Sequence, residues 1–346
     1  MPPAREPAKS SRLTVAVTGP TGDIGRSLLR SLERSREVDR VVAMARRPFD
    51  PAAAGLRKTE YRQGDVLEPA VVRALVAGAD VVVHLAFMIM GSLEQTRRVN
   101  LEGSRTVFEA TVAARATRLV FASSVAAYGF HSDNPPLLTE DLPARGTERH
   151  YYSAQKAQLE GLLAEVIEGA DTDAYVLRPC IVAGPDALTL LERIPYVQLS
   201  DQMPAAVRGA VELLPALRPV LPDFGVPFQL LHHDDAATAF RAAVLGRGAP
   251  GVYNLACPGT LTTSDLANAL GWYSVPIPEQ AVDVASELVA RLPFVPAEAQ
   301  WIESFRGPVV MGTTKARREL RWRPRHDALQ TLRAMVDAAR SERLIR

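Results

Sequence analysis

Cysteine is almost missing from these 346 residues. Only Cys180 and Cys257 occur, in separate apolar stretches without Cys-x-x-Cys spacing, which excludes a disulfide framework and a cysteine zinc site. Such usage fits a reducing, cytoplasmic compartment. An excess of either charge is also missing: 40 basic and 39 acidic residues leave a formal net charge of +1. No basic stripe is interleaved with aromatics, so nucleic acid is not an expected partner. No apolar run reaches the roughly 20 residues of a membrane span, so no membrane partner is expected. The longest run, ADVVVHLAFMIMG over 79–91, holds a histidine and reads as a buried parallel strand entering a loop. Residues 1–12 are polar and proline-bearing, lack the apolar core of a secretory signal, and read as a disordered lead-in. No metal site is expected. The length suffices for one large α/β unit plus a smaller lobe held by apolar burial.

What the sequence does hold is alternation. Strand-like runs at 13–18, 38–45, 81–86, 118–123 and 174–182 are separated by amphipathic helical segments. This pattern implies βαβ crossovers and a Rossmann-type, doubly wound parallel α/β sheet covered on both faces. Beyond residue 185 the alternation stops and prolines and leucines crowd 195–227, which marks a second lobe. FQLLHH (228–233) and GVYNLAC (251–257), with a helix between them from about 234 to 245, read as returns to the main sheet. The expected division is therefore 13–185 plus 228–257 for the nucleotide-binding domain, with a discontinuous lobe of 186–227 plus 258–346.

The stretch VTGPTGDIGRSLL places Gly19, Gly22 and Gly25 three apart between a β-branched run and a helical face of Ile24, Leu28, Leu29 and Leu32. A glycine triplet also serves an ordinary tight turn, but strand before and helix after are the context of a dinucleotide phosphate cradle. Thr21, Gly22, Asp23 and Ile24 would line it. The second strand ends in Ala45-Arg46-Arg47 rather than in an acid. Arginine pairs with a 2′-phosphate that a carboxylate would repel, which favours NADP over NAD unless these are solvated surface charges. Asp65 is placed either to accept a hydrogen bond from adenine or to cap its own turn.

In YYSAQK, Tyr152 and Lys156 lie four apart and share a helical face. A phenol is a poor base near neutrality, and a nearby ammonium favours the phenolate. Tyr151 has Gln155 at the matching position and lacks that cation. The spacing also occurs in ordinary surface pairs, so context matters. It comes from RLVFASSVAAYG, an apolar strand ending in Ser123 and Ser124, where a polar group points into the ligand crevice of a doubly wound sheet or else caps a turn.

Together these residues resemble the extended short-chain dehydrogenase/reductase superfamily, specifically its NAD-dependent epimerase/dehydratase group. The resemblance runs through HLA (84–86), VNLEGSRTV (99–107), SSVAAYG (123–129), LRPCIVAGP (177–185), HHDDAA (232–237), YNLA (253–256) and KARRELRWRP (315–324). It implies Tyr152 as catalytic acid/base, Lys156 as the group that lowers its pKa and binds the nicotinamide ribose, and Ser124 as the residue orienting the substrate oxygen. It also implies that Val66, Leu85, Ala86, Asn100, Arg178 and Pro179 lie along the cofactor, and that two copies form a homodimer through the helices near 92–115 and 151–168.

Where members of the group that dehydrate sugar nucleotides carry Asp-Glu after the active-site hydroxyl, this chain has Val125 and Ala126, which disfavours elimination. Where nucleotide-sugar enzymes carry asparagine and tyrosine, it has Ile181 and Ala183. Phe87-Met88-Ile89-Met90 is apolar as well, reading as core packing or as one wall of an apolar site. The expected activity is hydride transfer between NADP(H), or NAD(H), and a carbonyl or secondary alcohol of an apolar small molecule bound near Phe87, Met88, Ser124 and Ile181. The alternatives are a nucleotide-sugar epimerase and a non-catalytic NADP-sensing protein.

Overall fold

The computed structural model describes residues 12–192, 194, 197, 218–278 and 309–345. Seven parallel strands form the main sheet: β1 (Leu13–Thr18), β2 (Val38–Ala45), β3 (Thr59–Gln63), β4 (Val81–His84), β5 (Arg118–Ala122), β6 (Asp173–Pro179) and β10 (Gly251–Leu255), in the order β10-β6-β5-β4-β1-β2-β3. The chain winds outward from β1 through β2 to β3, then crosses back to lay β4 on the other side of β1. That reversal opens a crevice at the carboxyl ends of β1 and β4, where open α/β sheets hold their ligands.

The period of two in the strands divides the core. Val15 and Val17 point to one face, with Leu28, Leu29 and Leu32 of α1 (Asp23–Glu33) and the His233–Val244 helix. Ala16 points to the other, with Phe108 of α4 (Gly103–Ala113) and Leu159 of α5 (Tyr151–Ile167). Strands buried on both faces need continuous apolar runs, and VVVH in β4 is one. A third cluster, including Leu191, Leu230, Leu266, Leu332 and Met335, lies beyond the main sheet. No helix among the described residues is long and apolar enough to cross a membrane.

Three expectations are corrected. The run 174–182 is not one strand: Pro179 ends β6, the Cys180 amide bonds Leu255 O at 3.0 Å, and Ile181–Ala183 starts β7 in another sheet. FQLLHH does not return to the main sheet, since its central β9 (Leu230–His232) pairs with β7 instead; only β10 returns, alongside β6. The run 81–86 stops at His84, and residues 85–91 leave as a loop. Between 186 and 227, β8 (Val220–Asp223) pairs with β11 (Tyr273–Pro276) as a two-stranded sheet. The lead-in to residue 11, most of the leucine/proline-rich 195–217 and residues 279–308 lie outside the described residues.

Candidate active site

The three glycines do three different things. Gly19 has φ 71°, and a Cβ there would stand 2.7 Å from the Ala86 amide nitrogen, so only glycine lets the loop pass over the end of β4. At Gly25 a Cβ would strike Gly19 O and the Pro20 backbone, so glycine lets α1 close against its own loop. Gly22 is exposed and N-caps α1 without any side-chain hydrogen bond; a Cβ there would meet only Gly19 O, at 3.7 Å. The amino end of an 11-residue helix is thus left bare at the crevice, a positive pole fit for a pyrophosphate.

Around this pole the sequence-predicted cofactor residues are arranged unevenly. Thr21 turns its carbonyl to Arg26 Nε at 3.1 Å, the Asp23 carboxylate accepts from Thr189 Oγ1 at 2.8 Å, and Ile24 packs into the core. Arg46 and Arg47 are exposed beyond β2, held only by their carbonyls, which accept from Gln63 Nε2 (2.9 Å) and the Tyr61 hydroxyl. Among the described residues neither guanidinium has a hydrogen bond or an ion pair. Asp65 Oδ1 accepts from Leu67 N at 3.0 Å, making the turn cap that was one of its two readings. Val66 is buried so tightly against Gly103 that a Cβ on that glycine would clash with Cγ2 of the valine. Leu85 and Ala86 are fixed by Thr18, whose carbonyl and hydroxyl accept their amides at 3.2 and 3.3 Å.

Helix α5 sets Tyr152, Lys156 and Glu160 in a row at intervals of four. Tyr152 is partly exposed, with its ring edge-on to Phe87 at 5.3 Å. Lys156 is 3% exposed; its Nζ donates to Ala122 O at 2.7 Å and lies 3.8 Å from the centre of the Phe87 ring and 5.8 Å from that of Tyr152. Burial pushes this lysine down to about 7, and the Glu160 carboxylate works in the opposite direction. Ser124, two residues past Ala122, is buried, and its Oγ accepts from Ala126 N at 3.2 Å, capping the turn Val125–Tyr128. Both readings of that serine are therefore compatible, since a capping hydroxyl keeps its proton to donate.

The loop after β4 is fastened from two sides. Asn100, buried in the π-helical turn Arg98–Glu102, accepts from Met88 N at 2.7 Å and donates to Met88 O at 2.9 Å, and also donates to Gln155 at 2.7 Å. The Tyr151 hydroxyl donates to Ile89 O. These bonds fasten the loop that sets the Phe87 ring against Tyr152 and Lys156. Ile181 is 37% exposed at the start of β7, two residues past Pro179. The Arg178 side chain pairs with Glu160 through Nε (2.9 Å) and Nη2, and its guanidinium carbon lies 4.2 Å from the Tyr128 ring centre.

Sequence reasoning passed over several polar residues here. His84 bridges Thr18 Oγ1 (2.7 Å) and Ser104 Oγ (2.8 Å), and burial, with the Lys156 charge adding, holds it neutral at about 3. Glu160 was legible as the next step of the Tyr152–Lys156 row; His84 and Asn254, which accepts from the Tyr128 hydroxyl at 2.8 Å, carried no spacing signal. A further cluster joins His232, Asp235 and His326, whose candidate ligand atoms lie within 4.8 Å of one another. The His232 and His326 rings are stacked at 3.7 Å, an arrangement that cannot put one ion in both ring planes. Asp235 already accepts from Arg325 N (2.9 Å), His326 N (3.1 Å) and His326 Nδ1 (2.8 Å). The cluster is a clasp between the His233–Val244 helix and the chain before Ala328.

Comparison with known proteins agrees with this geometry. Residues 15–256 match the model of the NAD dependent epimerase/dehydratase family. A ceramide reductase of Caulobacter vibrioides (strain NA1000 / CB15N) is 34% identical over 179 residues, 51% of this chain and 49% of that protein. Human 3 beta-hydroxysteroid dehydrogenase type 7 is 31% identical over 168 residues, 46% of each chain. The chain thus spans about half the length of these curated relatives. The solved UDP-glucuronic acid 4-epimerase from Bacillus cereus in complex with NAD superposes with a TM-score of 0.70 at 16% identity, covering 95% of this chain and 99% of that one, a likeness of fold. The matched family model, the order of the sheet and the glycine loop at its switch point agree: this chain belongs to the NAD-dependent epimerase/dehydratase family of extended short-chain dehydrogenases/reductases.

Proposed function

We propose that the protein is an oxidoreductase that moves a hydride between NADP(H), in preference to NAD(H), and a carbonyl or secondary alcohol of an apolar small molecule. The observation that carries this is the Tyr152–Lys156 pair lying under the apolar Phe87–Met88 loop, next to the serine-bearing end of β5. The bare amino end of α1 at Gly22 and the backbone of Leu85 and Ala86 would hold the cofactor, whose nicotinamide supplies or accepts the hydride when bound. Tyr152 gives its proton to the developing alkoxide in reduction and takes it back in oxidation. Lys156, when charged, stabilises the phenolate left behind, and the Ser124 hydroxyl donates to the same substrate oxygen.

Two features support an apolar substrate over a nucleotide sugar: the Phe87 ring faces the pair, and Ile181 and Ala183 offer no polar side chain. The names of two relatives, a ceramide reductase and a hydroxysteroid dehydrogenase, are those of lipid chemistry. NADP preference rests on Arg46 and Arg47, whose guanidiniums have no partner among the described residues and lie past an acid-free strand end. The discontinuous lobe would close over the substrate in a cytoplasmic homodimer. Its interface would be the exposed face shared by α4 and α5, which includes Glu102, Arg105, Gln158 and Glu165.

The direct test is Tyr152→Phe. Turnover should fall by roughly two to four orders of magnitude while cofactor affinity stays within about a few-fold, because only the proton donor is deleted. Near-normal turnover would remove Tyr152 from this role.

A further inference from the structure

Behind the Tyr152–Lys156 pair lies a buried charge group that the reaction as described does not use. Glu160, one helical turn beyond Lys156, receives Nε and Nη2 of Arg178 from β6 and the Ser123 hydroxyl from the end of β5. The Arg178 and Glu160 side chains are 3% and 9% exposed. The guanidinium is in turn covered by the Tyr128 ring. The buried site therefore holds two basic groups, Lys156 and Arg178, with Glu160 paired to the arginine; a second carboxylate, Glu140, also acts on Arg178.

Resting on the oxidoreductase reading, we infer that Glu160 is a positioning residue: paired with Arg178 and one helical turn from Lys156, its carboxylate favours the charged form of the lysine beside Tyr152 and so sets the pH range over which the pair works. The groups around Lys156 leave this task to Glu160. On its own helix are Tyr152 and Glu160. From β4 comes His84, held neutral by burial. From β5 come the Ala122 carbonyl and the neutral Ser123 and Ser124, and from β6 comes Arg178, a permanent cation that opposes the lysine's charge. The loop after β4 adds only the Phe87 ring, and the turn Val125–Tyr128 adds a phenol that burial holds protonated. Glu140 acts on Arg178 and Tyr128, but the carboxylate whose field reaches Lys156 is Glu160, and it opposes the burial that discharges the lysine.

Arg178 and Glu160 have opposite charges, so deleting one or the other gives shifts of opposite sign. Glu160→Gln removes the attraction and leaves the Arg178 charge uncompensated, so Lys156 should lose its proton about one pH unit lower. Arg178→Met frees the carboxylate for the lysine, so the titration should move up by about as much. A purely structural pair would not give opposite signs.

The chain has four lysines, Lys9, Lys58, Lys156 and Lys315, so carbon-13 labelling of lysine gives few signals, and Lys156→Met identifies the one required. Following that signal against pH in the cofactor-free protein reads the charge state without any need for activity. The expected wild-type midpoint is about 7, falling in Glu160→Gln and rising in Arg178→Met, with the basic limb of the kcat/KM profile moving alongside. If a single variant does not fold, the Glu160→Gln, Arg178→Met double variant leaves neither charge stranded. It should titrate below wild type but above the level expected for Glu160→Gln alone. Shifts of the same sign, or a double variant indistinguishable from wild type, overturn the assignment of Glu160. Signed shifts in the lysine signal without hydride transfer by the wild type would instead overturn the oxidoreductase reading, and with it the catalytic meaning of the device.

Discussion

Replacing Lys156 by methionine should make the cofactor-free protein more stable at neutral pH while destroying its activity. Moving a lysine from 10.5 to about 7 corresponds to about 4–5 kcal/mol of disfavoured charge, at about 1.4 kcal/mol per pH unit. Methionine has nearly the same length and no charge, but it leaves Ala122 O without the Nζ bond of 2.7 Å. Losing that partner costs about 1–3 kcal/mol. The net expectation is a gain of about 1–3 kcal/mol near pH 7. Its pH dependence has a definite sign. Between about 7 and 10.5 the unfolded lysine holds a proton that the folded one has released. Wild-type stability therefore rises with pH through this window, and the advantage of Lys156→Met shrinks as it does. Urea unfolding of both proteins at about pH 6, 8 and 10 measures this directly. A variant less stable than wild type by the same amount at all three values would refute the claim that the lysine is held against its charge.

Two other substitutions probe the cofactor end and the loop. Arg46→Ala with Arg47→Ala should weaken NADPH binding by roughly 1.5–3 kcal/mol, the worth of a charge-assisted hydrogen bond, and scarcely alter NADH binding. Calorimetry with both cofactors checks it, and equal losses would mean that the arginines do not read the 2′-phosphate. Asn100→Ala removes both bonds to the Met88 backbone and should cost about 1–3 kcal/mol. Hydrogen exchange at the Met88 amide should rise more than elsewhere, whereas uniform change would mean that the loop is held by other contacts.

The sequence displayed the sheet because its strands are buried on both faces: LTVAVT and VVVH allow few other environments, and their order with the helices dictates the winding. It hid the division after Pro179, because Ile181–Ala183 is as apolar as the strand before it and only pairing distinguishes them. The same ambiguity placed Leu230–His232 in the wrong sheet. Within the site, Tyr152, Lys156 and the glycines were legible because helical spacing and backbone conformation constrain residue type locally. The clamp of Asn100 on Met88 depends on a π-helical turn that leaves no periodic signature. The pairing of Arg178 with Glu160 was hidden for a related reason: a β-strand end announces which residue reaches the crevice edge, not which buried carboxylate its side chain engages.

Deuteride transfer separates net reduction of an apolar carbonyl from epimerisation of a sugar. With NADPH carrying deuterium at C4, incubated with wild-type protein and a panel of hydrophobic ketones and aldehydes alongside UDP-sugars, mass spectrometry reads where the label goes. Stoichiometric deuterium is expected on the carbinol carbon of an apolar product, with the cofactor exchanging freely and Tyr152→Phe transferring almost none. Tightly retained NAD and interconversion of a UDP-sugar without net cofactor consumption would contradict that expectation.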